Sequence, residues 1–291
     1  MAPVTAGLLL LDKPVGPTSH DLVQRVRRLA GTRRVGHAGT LDPAATGLML
    51  IGVEGATRLL TYLVGLDKTY TATIRLGTAT TTDDAEGEPL GGPAEVTAAV
   101  RERIPAAVAA LTGPIDQVPS SVSAVHVDGR RAHELVRAGE TVDLPSRHVT
   151  VSRFDVLAVR GDELDVVVDC TSGTYIRALA RDLGAALGVG GHLTALRRTR
   201  VGPFDVADAA PLAEPLALRS PASVAEALFP VLRLDEEARV ALQQGKRLPT
   251  DVPDAPVVAA LAADGALVGL VEVKAGRTRV LMNLAPERVD A

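Results

Sequence analysis

Short apolar and alternating runs recur along the chain, and most of them predict strands. Gly7–Leu11 and Gly47–Val53 are apolar runs typical of buried strands, whereas Thr69–Leu76 alternates as a half-buried strand does. Further strands are predicted over Val35–His37, Ser121–Val127, Val149–Val159, Leu164–Thr171, His192–Arg200 and, in the tail, 257–262, 266–273 and 279–283.

Helical periodicity is strongest over residues 20–30, whose apolar side chains fall on one face. Thr18 or Ser19 can cap the start of this helix, and Gly31 can end it. Other helices are predicted over Ala56–Val64, two Ala-rich segments broken at Pro105, Arg131–Arg137, Gly173–Ala186 and Asp235–Gln244.

The order of these elements predicts a mixed α/β fold with a largely antiparallel central sheet. Many strands follow one another through short turns, which argues against a doubly wound parallel sheet. The length of 291 residues suggests two domains, or one large domain with a small appendage. We therefore predict a main domain over 1–204, a Pro-rich linker over 205–230 and a small β-rich domain over 231–291.

Composition removes several classes of protein. Cys170 is the single cysteine, which excludes an internal disulfide framework and a Cys-rich zinc site. The sequence has no Walker A loop, no G-x-G-x-x-G and no G-x-S-x-G, so cofactor-nucleotide and serine-hydrolase functions lose their usual support. No apolar run reaches the ~18 residues of a membrane span and the start lacks a basic leader region. We expect a soluble cytoplasmic protein.

Charge is unevenly distributed although the net charge is only −4. Residues 13–37 carry six basic residues against one acidic residue, and residues 177–200 carry five against one. The two segments could form one face for a polyanion, or they could be solvated helix faces.

An acidic loop follows the strand over Thr69–Leu76. It holds Asp83, Asp84, Glu86 and Glu88. Four carboxylates in six residues suggest calcium, but the EF-hand spacing is absent, so the sequence favours a solvated loop.

The densest turn signal is the segment from Gly36 to Gly47, which contains three glycines between apolar runs. Such loops hold small residues where another backbone comes close. Asp42 on this loop could serve as a nucleophile or a base, although Asp before Pro also begins ordinary type I turns.

The motif His37-Ala-Gly-Thr-Leu-Asp42-Pro-x-Ala-x-Gly47 resembles the catalytic loop of the TruB family of pseudouridine synthases, which act on uridine 55 of tRNA. Other matches follow in chain order: Leu11-Asp12-Lys13-Pro14 with Thr18-Ser19, Lys68-x-Tyr70 with Leu76-Gly77, Gln117-Val118-Pro119-Ser120-x-x-Ser123-Ala124, Gly173-Thr174-Tyr175-Ile176-Arg177 with Leu183-Gly184, and Leu196-Arg197-Arg198-Thr199. The resemblance covers about residues 7–205, and the tail is similar to the PUA-like C-terminal domain of bacterial members.

The resemblance implies a catalytic role for three residues. Asp42 is the nucleophile, acting at the sugar by attack at C1′ or through a glycal route. Arg177 pairs with it, and a neighbouring guanidinium stabilises an ionised carboxylate in a site that excludes water. Tyr70 stacks on the flipped uracil and takes part in proton transfer.

Four further residues are implied to bind the substrate. Tyr175 and Leu196 line the uracil pocket. His37 fills the space that the extruded base leaves in the T loop. Lys13 has a supporting position.

The implied function is isomerisation of uridine 55 to pseudouridine, with no cofactor and no metal. The expected partner is the T stem-loop of tRNA, with no membrane and no obligatory protein partner. Residues 117–147 resemble a thumb-like RNA-binding segment, with His126 and His133 departing from the Lys and Tyr expected there. Two alternatives stay open: a synthase that depends on a guide RNA, and a non-catalytic tRNA-binding or tRNA-folding module.

Overall fold

The computed structural model describes residues 5–121, 126–127, 130–131 and 144–284. The α-helices are α1 (Ser19–Ala30), α2 (Leu60–Val64), α3 (Ala98–Glu102), α4 (Ile104–Ala110), α5 (Ile176–Leu187), α6 (Pro221–Leu228) and α7 (Glu236–Gln243), and 3-10 helices cover Glu54–Leu59 and Val206–Asp208. In this part of the chain, no helix has the length and apolar character needed to cross a membrane.

The strands of the described residues are mostly short. They are β1 (Gly7–Lys13), β2 (Val35–His37), β3 (Thr46–Val53), β4 (Lys68–Leu76), β5 (Ala79–Thr80), β6 (Pro89–Leu90), β7 (Gly113–Gln117), β8 (His126–Val127), β9 (Arg130–Arg131), β10 (Arg147–Arg160), β11 (Glu163–Cys170), β12 (Gly191–Val201), β13 (Phe204–Asp205), β14 (Leu218–Arg219), β15 (Val231–Arg233), β16 (Ala255–Leu261), β17 (Leu267–Lys274) and β18 (Arg277–Asn283).

The chain folds into two compact units, each assembled from separate stretches. The first unit contains Met1–Pro43, Leu48–Val64 and Pro203–Ala291, and the second contains Ala44–Gly47 and Gly65–Gly202. The predicted domain boundaries at 204 and 231 stay a prediction.

The second unit is built on strands in the order β12-β4-β11-β10-β7, all paired antiparallel. The first two residues of β3, Thr46 and Gly47, run parallel to β12 at Arg197 and Arg198. The predicted mixed α/β fold with a largely antiparallel sheet is confirmed.

The first unit contains two sheet regions. In one, β1 lies between β14 and β3, and β2 pairs with β3. In the other, the order is β15-β16-β17-β18, with a core that includes Leu234, Leu242, Val258 and Val271. The predicted β-rich character of the tail is confirmed.

Local capping signals predict the position of α1 correctly. The Thr18 hydroxyl accepts the backbone N–H of Asp21, whose carboxylate in turn accepts the backbone N–H of Thr18. Gly31 ends the helix at φ 62°, in the left-handed region that favours glycine.

Helix α5 starts later than the sequence pattern predicts. The helix begins at Ile176 rather than at Gly173, because Tyr175 has an extended backbone and the Thr174 hydroxyl donates to the carbonyl of Thr171. Strand β7 was missed, since its Gly-Pro start is unfavourable in a central strand. The structure places β7 at the edge of the sheet, where proline is tolerated.

Two predicted elements fall mainly outside the described residues. Within the predicted strand Ser121–Val127, only Ser121 and β8 are described, and β8 pairs with β9. The predicted helix over Arg131–Arg137 begins inside β9, and its remaining residues lie outside the described part.

The expected linker over 205–230 contains regular structure. It carries the end of β13, a 3-10 helix, β14 and α6. Val224 and Ala225 of α6 are fully buried, and the ring of Phe229 meets Tyr62 edge-on with centroids 5.6 Å apart. The segment is therefore folded within the first unit.

Candidate active site

The loop around Asp42 is fixed on both sides of the carboxylate. The hydroxyl of Ser19, buried in α1, donates to the carbonyl of Leu41 (3.0 Å) and accepts the backbone N–H of Leu41 (2.9 Å). On the other side, the carbonyl of Pro43 accepts the ammonium of Lys13 (3.0 Å) and the backbone N–H of Gly16 (2.9 Å). Both neighbours of Asp42 are thus held, while Asp42 itself is half-buried.

Lys13 has a structural reason to occupy this position. Its side chain is fully buried, and the ammonium also donates to the carbonyl of Pro14 (3.1 Å). A buried ammonium needs such acceptors because desolvation disfavours its charge. These two hydrogen bonds tie Lys13 to the Asp42 loop, and its supporting role toward the substrate stays a prediction.

Gly47 ends the loop where its backbone meets β12. A Cβ on Gly47 would lie 2.2 Å from the carbonyl oxygen of Arg198, and the glycine has φ +103°. The Thr46 hydroxyl donates to the carbonyl of Leu196 (3.5 Å) in the same place. The expectation that small residues here permit a close backbone approach is confirmed at Gly47.

Tyr70 and Leu196 share one face of the second unit's sheet. In the antiparallel pairing of β4 with β12, Tyr70 lies opposite Arg198 and Ala72 lies opposite Leu196. Directly opposed residues project to the same side of a sheet, so the two side chains are diagonal neighbours. Tyr70 is buried and Leu196 is half-buried.

Two buried cations lie beside Tyr70 on this face. Arg198 is opposite Tyr70, and Lys68 precedes it by two residues along β4. Burial lowers the pKa of Lys68 to about 8, and the charge of Arg198 adds to that shift. Burial raises the pKa of Cys170, opposite Lys68 on β11, to about 11.

Arg177 lies in the first turn of α5 and is buried. Its guanidinium donates to the carbonyl of Thr82 (2.9 Å) and forms an ion pair with Asp84 (3.4 Å). Asp84 is itself oriented, because its carboxylate accepts the Thr82 hydroxyl and the backbone N–H of Glu86. Sequence reasoning missed Asp84, and the pairing of Arg177 with Asp42 stays a prediction.

The expectation of a solvated acidic loop is correct for Glu86 and Glu88, which are exposed, and wrong for the two aspartates. Asp83 is buried with φ 61° and forms an ion pair with Arg181 (3.2 Å). Burial raises the pKa of Asp83, while the charge of Arg181 opposes the shift. Cations on α5 compensate the charges of both aspartates, which allows Asp83 to be buried and Asp84 to be half-buried.

Tyr175 is held through its backbone by Gln117. The Gln117 amide donates to the carbonyl of Tyr175 (3.1 Å) and accepts its backbone N–H (2.8 Å). Tyr175 is the N-cap residue of α5, but its side chain makes no capping hydrogen bond. The buried amide of Gln117 instead fixes the start of the helix that carries Arg177. Gln117 belongs to one of the family motifs, but no local pattern in the sequence indicates a partner 58 residues away.

His37 ends β2 opposite Ile51 of β3 and is partly buried. The next residue, Ala38, donates its backbone N–H to the carbonyl of Leu50 (3.0 Å). The predicted site residues therefore fall in both units, with His37, Asp42 and Lys13 in the first.

The basic segment over 177–200 is not the exposed cationic face that its charge suggested. Arg177 and Arg198 are buried, and Arg181 and Arg200 form ion pairs with Asp83 and Asp169. Across the described residues, no group of three or more His, Cys, Asp or Glu side chains could hold a metal ion.

Comparison with solved structures identifies the fold. The chain is similar to a chain of an H/ACA RNP bound to a substrate RNA containing 2′-deoxyuridine, with a TM-score of 0.71 and 24% identity over 97% of this chain and 86% of that one. It is similarly related to a chain of a Cbf5–Nop10–Gar1 complex, with a TM-score of 0.70 and 24% identity over 96% and 84%.

Sequence comparison identifies the family. Residues 27–176 match the N-terminal domain of the TruB family pseudouridylate synthases, residues 177–233 match the tRNA pseudouridylate synthase B C-terminal domain, and residues 229–285 match the C-terminal domain of tRNA pseudouridine synthase II. A tRNA pseudouridine synthase B of Leifsonia xyli is 56% identical over 99% of this chain and 100% of that protein. One of Corynebacterium efficiens is 53% identical over 97% of each. The chain belongs to the TruB family of pseudouridine synthases, which are isomerases.

Proposed function

We propose that this protein isomerises uridine 55 in the T loop of tRNA to pseudouridine, with Asp42 as the nucleophile. The observation that carries the proposal is the fixed Asp42 loop, in which hydrogen bonds hold the residues before and after the carboxylate. Relatives named tRNA pseudouridine synthase B, similar over nearly the whole chain, support tRNA as the substrate.

The chemistry needs a positioned carboxylate and no change in oxidation state. The N1–C1′ bond of uridine breaks, the uracil rotates, and a C5–C1′ bond forms as the proton on C5 is lost and N1 gains a proton. Asp42 assists either by adding to C1′ or by removing the 2′ proton to give a glycal. Holding the carboxylate in one place reduces the entropy lost on reaching the reactive geometry.

Arg177 is the partner of the nucleophile's carboxylate. Its burial supports this role, since a buried guanidinium requires anionic partners, and Asp84 satisfies one side of its planar fork. Asp84 and the carbonyl of Thr82 orient the guanidinium, and Asp42 accepts from it when the uridine is bound.

The uracil pocket is formed by Tyr70, Tyr175 and Leu196. Tyr70 stacks on the extruded base and moves a proton, and Leu196 beside it on the sheet supplies an apolar wall. The Gln117 amide fixes the Tyr175 backbone, and so places that side chain. His37 stacks in the space that the base leaves, which lowers the cost of unstacking.

The enzyme acts on tRNA without a cofactor, a metal ion or an obligatory protein partner. The test uses the purified chain with an unmodified tRNA transcript labelled with tritium at C5 of uridine. Release of tritium reports the reaction, and chemical labelling of pseudouridine with primer extension maps its position. We expect one modified site, at position 55.

A transcript with cytidine at position 55 is the matched control and should release no tritium. Release that requires an added guide RNA would favour a guide-dependent synthase. Binding of the transcript with no release under any condition would leave only a tRNA-binding or tRNA-folding module.

A further inference from the structure

The C-terminal end of α1 borders an open depression of about 380 Å³ in the first unit. Its lining is polar and rich in arginine: Gln24, Arg27, Arg28, Gly31, Thr32 and Arg33. None of these residues is among those proposed to contact the uridine. Arg28 and Arg33 are exposed to solvent, whereas Arg27 is half-buried.

The three arginines lack compensating carboxylates. Arg27, Arg28 and Arg33 form no ion pair with any acidic side chain in the described ranges, whereas most exposed arginines of the second unit's sheet do. The nearby carboxylate of Glu54 accepts the Thr32 hydroxyl and pairs with Arg34 at 3.6 Å. The depression therefore carries an excess of positive charge.

The helix end does not account for this charge. A helix C-terminus carries about half of a negative elementary charge, which is too little to compensate the three guanidinium groups here. Arg27 also does not cap the helix, because it donates to the carbonyl of Val35 (3.1 Å) instead. Its Nε is buried and has no hydrogen-bond partner among the described residues.

We propose that this depression binds phosphate groups of the RNA backbone, apart from the uridine pocket. The planar guanidinium fork matches two phosphate oxygens, and three such forks around one open depression suit a chain of phosphates. The proposal rests on the proposed function only for the identity of the RNA, which is tRNA.

The test measures tRNA affinity against salt concentration for the full chain and for Arg28→Gln/Arg33→Gln. Each phosphate contact contributes roughly 0.7–0.9 to the slope of log Kd against log salt. The double variant should therefore lower that slope by about 1.4–1.8 and weaken binding by about tenfold or more at 0.1 M salt. Arg28→Lys/Arg33→Lys keeps both charges and should retain the wild-type slope.

Arg153→Gln/Arg160→Gln is the matched control, because it removes two positive charges from exposed arginines that already have carboxylate partners. It should leave the slope almost unchanged. Equal loss in both double variants would mean that only net charge matters, and no loss in either would also overturn the proposal.

A second arm separates RNA from a free anion. Stabilisation by inorganic phosphate, measured as a shift in Tm, should be small in the wild type, because the open depression is built for several linked phosphates. A large phosphate-dependent shift that Arg28→Gln/Arg33→Gln abolishes, with an unchanged RNA salt slope, would assign a small-anion site instead. Wild-type turnover on the same tRNA tests the proposed function separately.

Discussion

Replacing Gly47 by alanine tests the close contact that ends the Asp42 loop. The added Cβ would lie 2.2 Å from the Arg198 carbonyl oxygen and 2.8 Å from the Arg198 nitrogen, both of them backbone atoms that cannot rotate away. Relief requires the start of β3 to move from β12 by about an ångström, which would break the pairing of Thr46 and Gly47 with β12.

The cost has three parts. A positive φ costs a residue with a Cβ roughly 1–2 kcal/mol, overpacking adds about 1–3 kcal/mol, and each lost hydrogen bond adds about 0.5–1.5 kcal/mol. Gly47→Ala should therefore lower the free energy of unfolding by about 3–5 kcal/mol, or Tm by roughly 6–15 °C. Isomerisation should also slow at temperatures where the variant is folded, because the same movement displaces the loop.

Thermal and urea unfolding measure this effect, and Gly65→Ala is the matched control. Gly65 is exposed in the same unit, has no heavy atom within 4 Å of an added Cβ and does not have a left-handed φ. Its replacement should change stability by less than about 1 kcal/mol. If Gly47→Ala unfolds like Gly65→Ala, the close approach of the two backbones is not required and the reasoning fails.

Three further predictions concern the second unit. Arg177→Lys keeps a charge but loses the planar fork, so the single-turnover rate constant should fall at least tenfold; a wild-type rate constant would show that charge alone suffices. Gln117→Met leaves both backbone groups of Tyr175 without their buried partner, so urea unfolding should show a loss of about 2–4 kcal/mol, and an unchanged midpoint would contradict the amide's role. Between pH 8 and 9 the folded protein should become more stable as pH rises. Lys68 has a pKa of about 8 in the folded protein, below its value in the unfolded chain. The unfolded state therefore binds more protons in this range, and raising the pH favours the folded state. The difference in slope between the wild type and Lys68→Met isolates Lys68 and should approach about 1.4 kcal/mol per pH unit near pH 9. Cys170, whose pKa burial raises from 9.0 to about 11, opposes the trend in both proteins as pH approaches 9. An equal slope in both proteins would exclude Lys68 as the source.

The elements that sequence alone located correctly depend on local interactions. Thr18 and Gly31 bound α1 through contacts within one helical turn, and the alternation of Thr69–Leu76 reflects the two faces of β4. Such patterns can be detected because cause and effect lie within a few residues of each other.

The polar contacts that hold the candidate site are long-range, and no local pattern reports them. Ser19 fixes Leu41 from 22 residues away, and the carbonyl of Thr82 receives Arg177 from 95 residues away. Asp84 looked like a solvated acid because its buried partner is defined only by the tertiary fold. The family motif indicated which residues matter, whereas only the structure shows which atoms hold them.

The central claim is that the fixed carboxylate of Asp42 performs the chemistry on uridine 55. The most direct measurement compares tritium release from C5-labelled tRNA by the wild type and by Asp42→Asn in single turnover, at enzyme concentrations above the measured Kd of each. We expect the wild type to release tritium from position 55, and Asp42→Asn to bind tRNA with near-normal affinity and release none. Turnover by a folded Asp42→Asn protein would contradict the account.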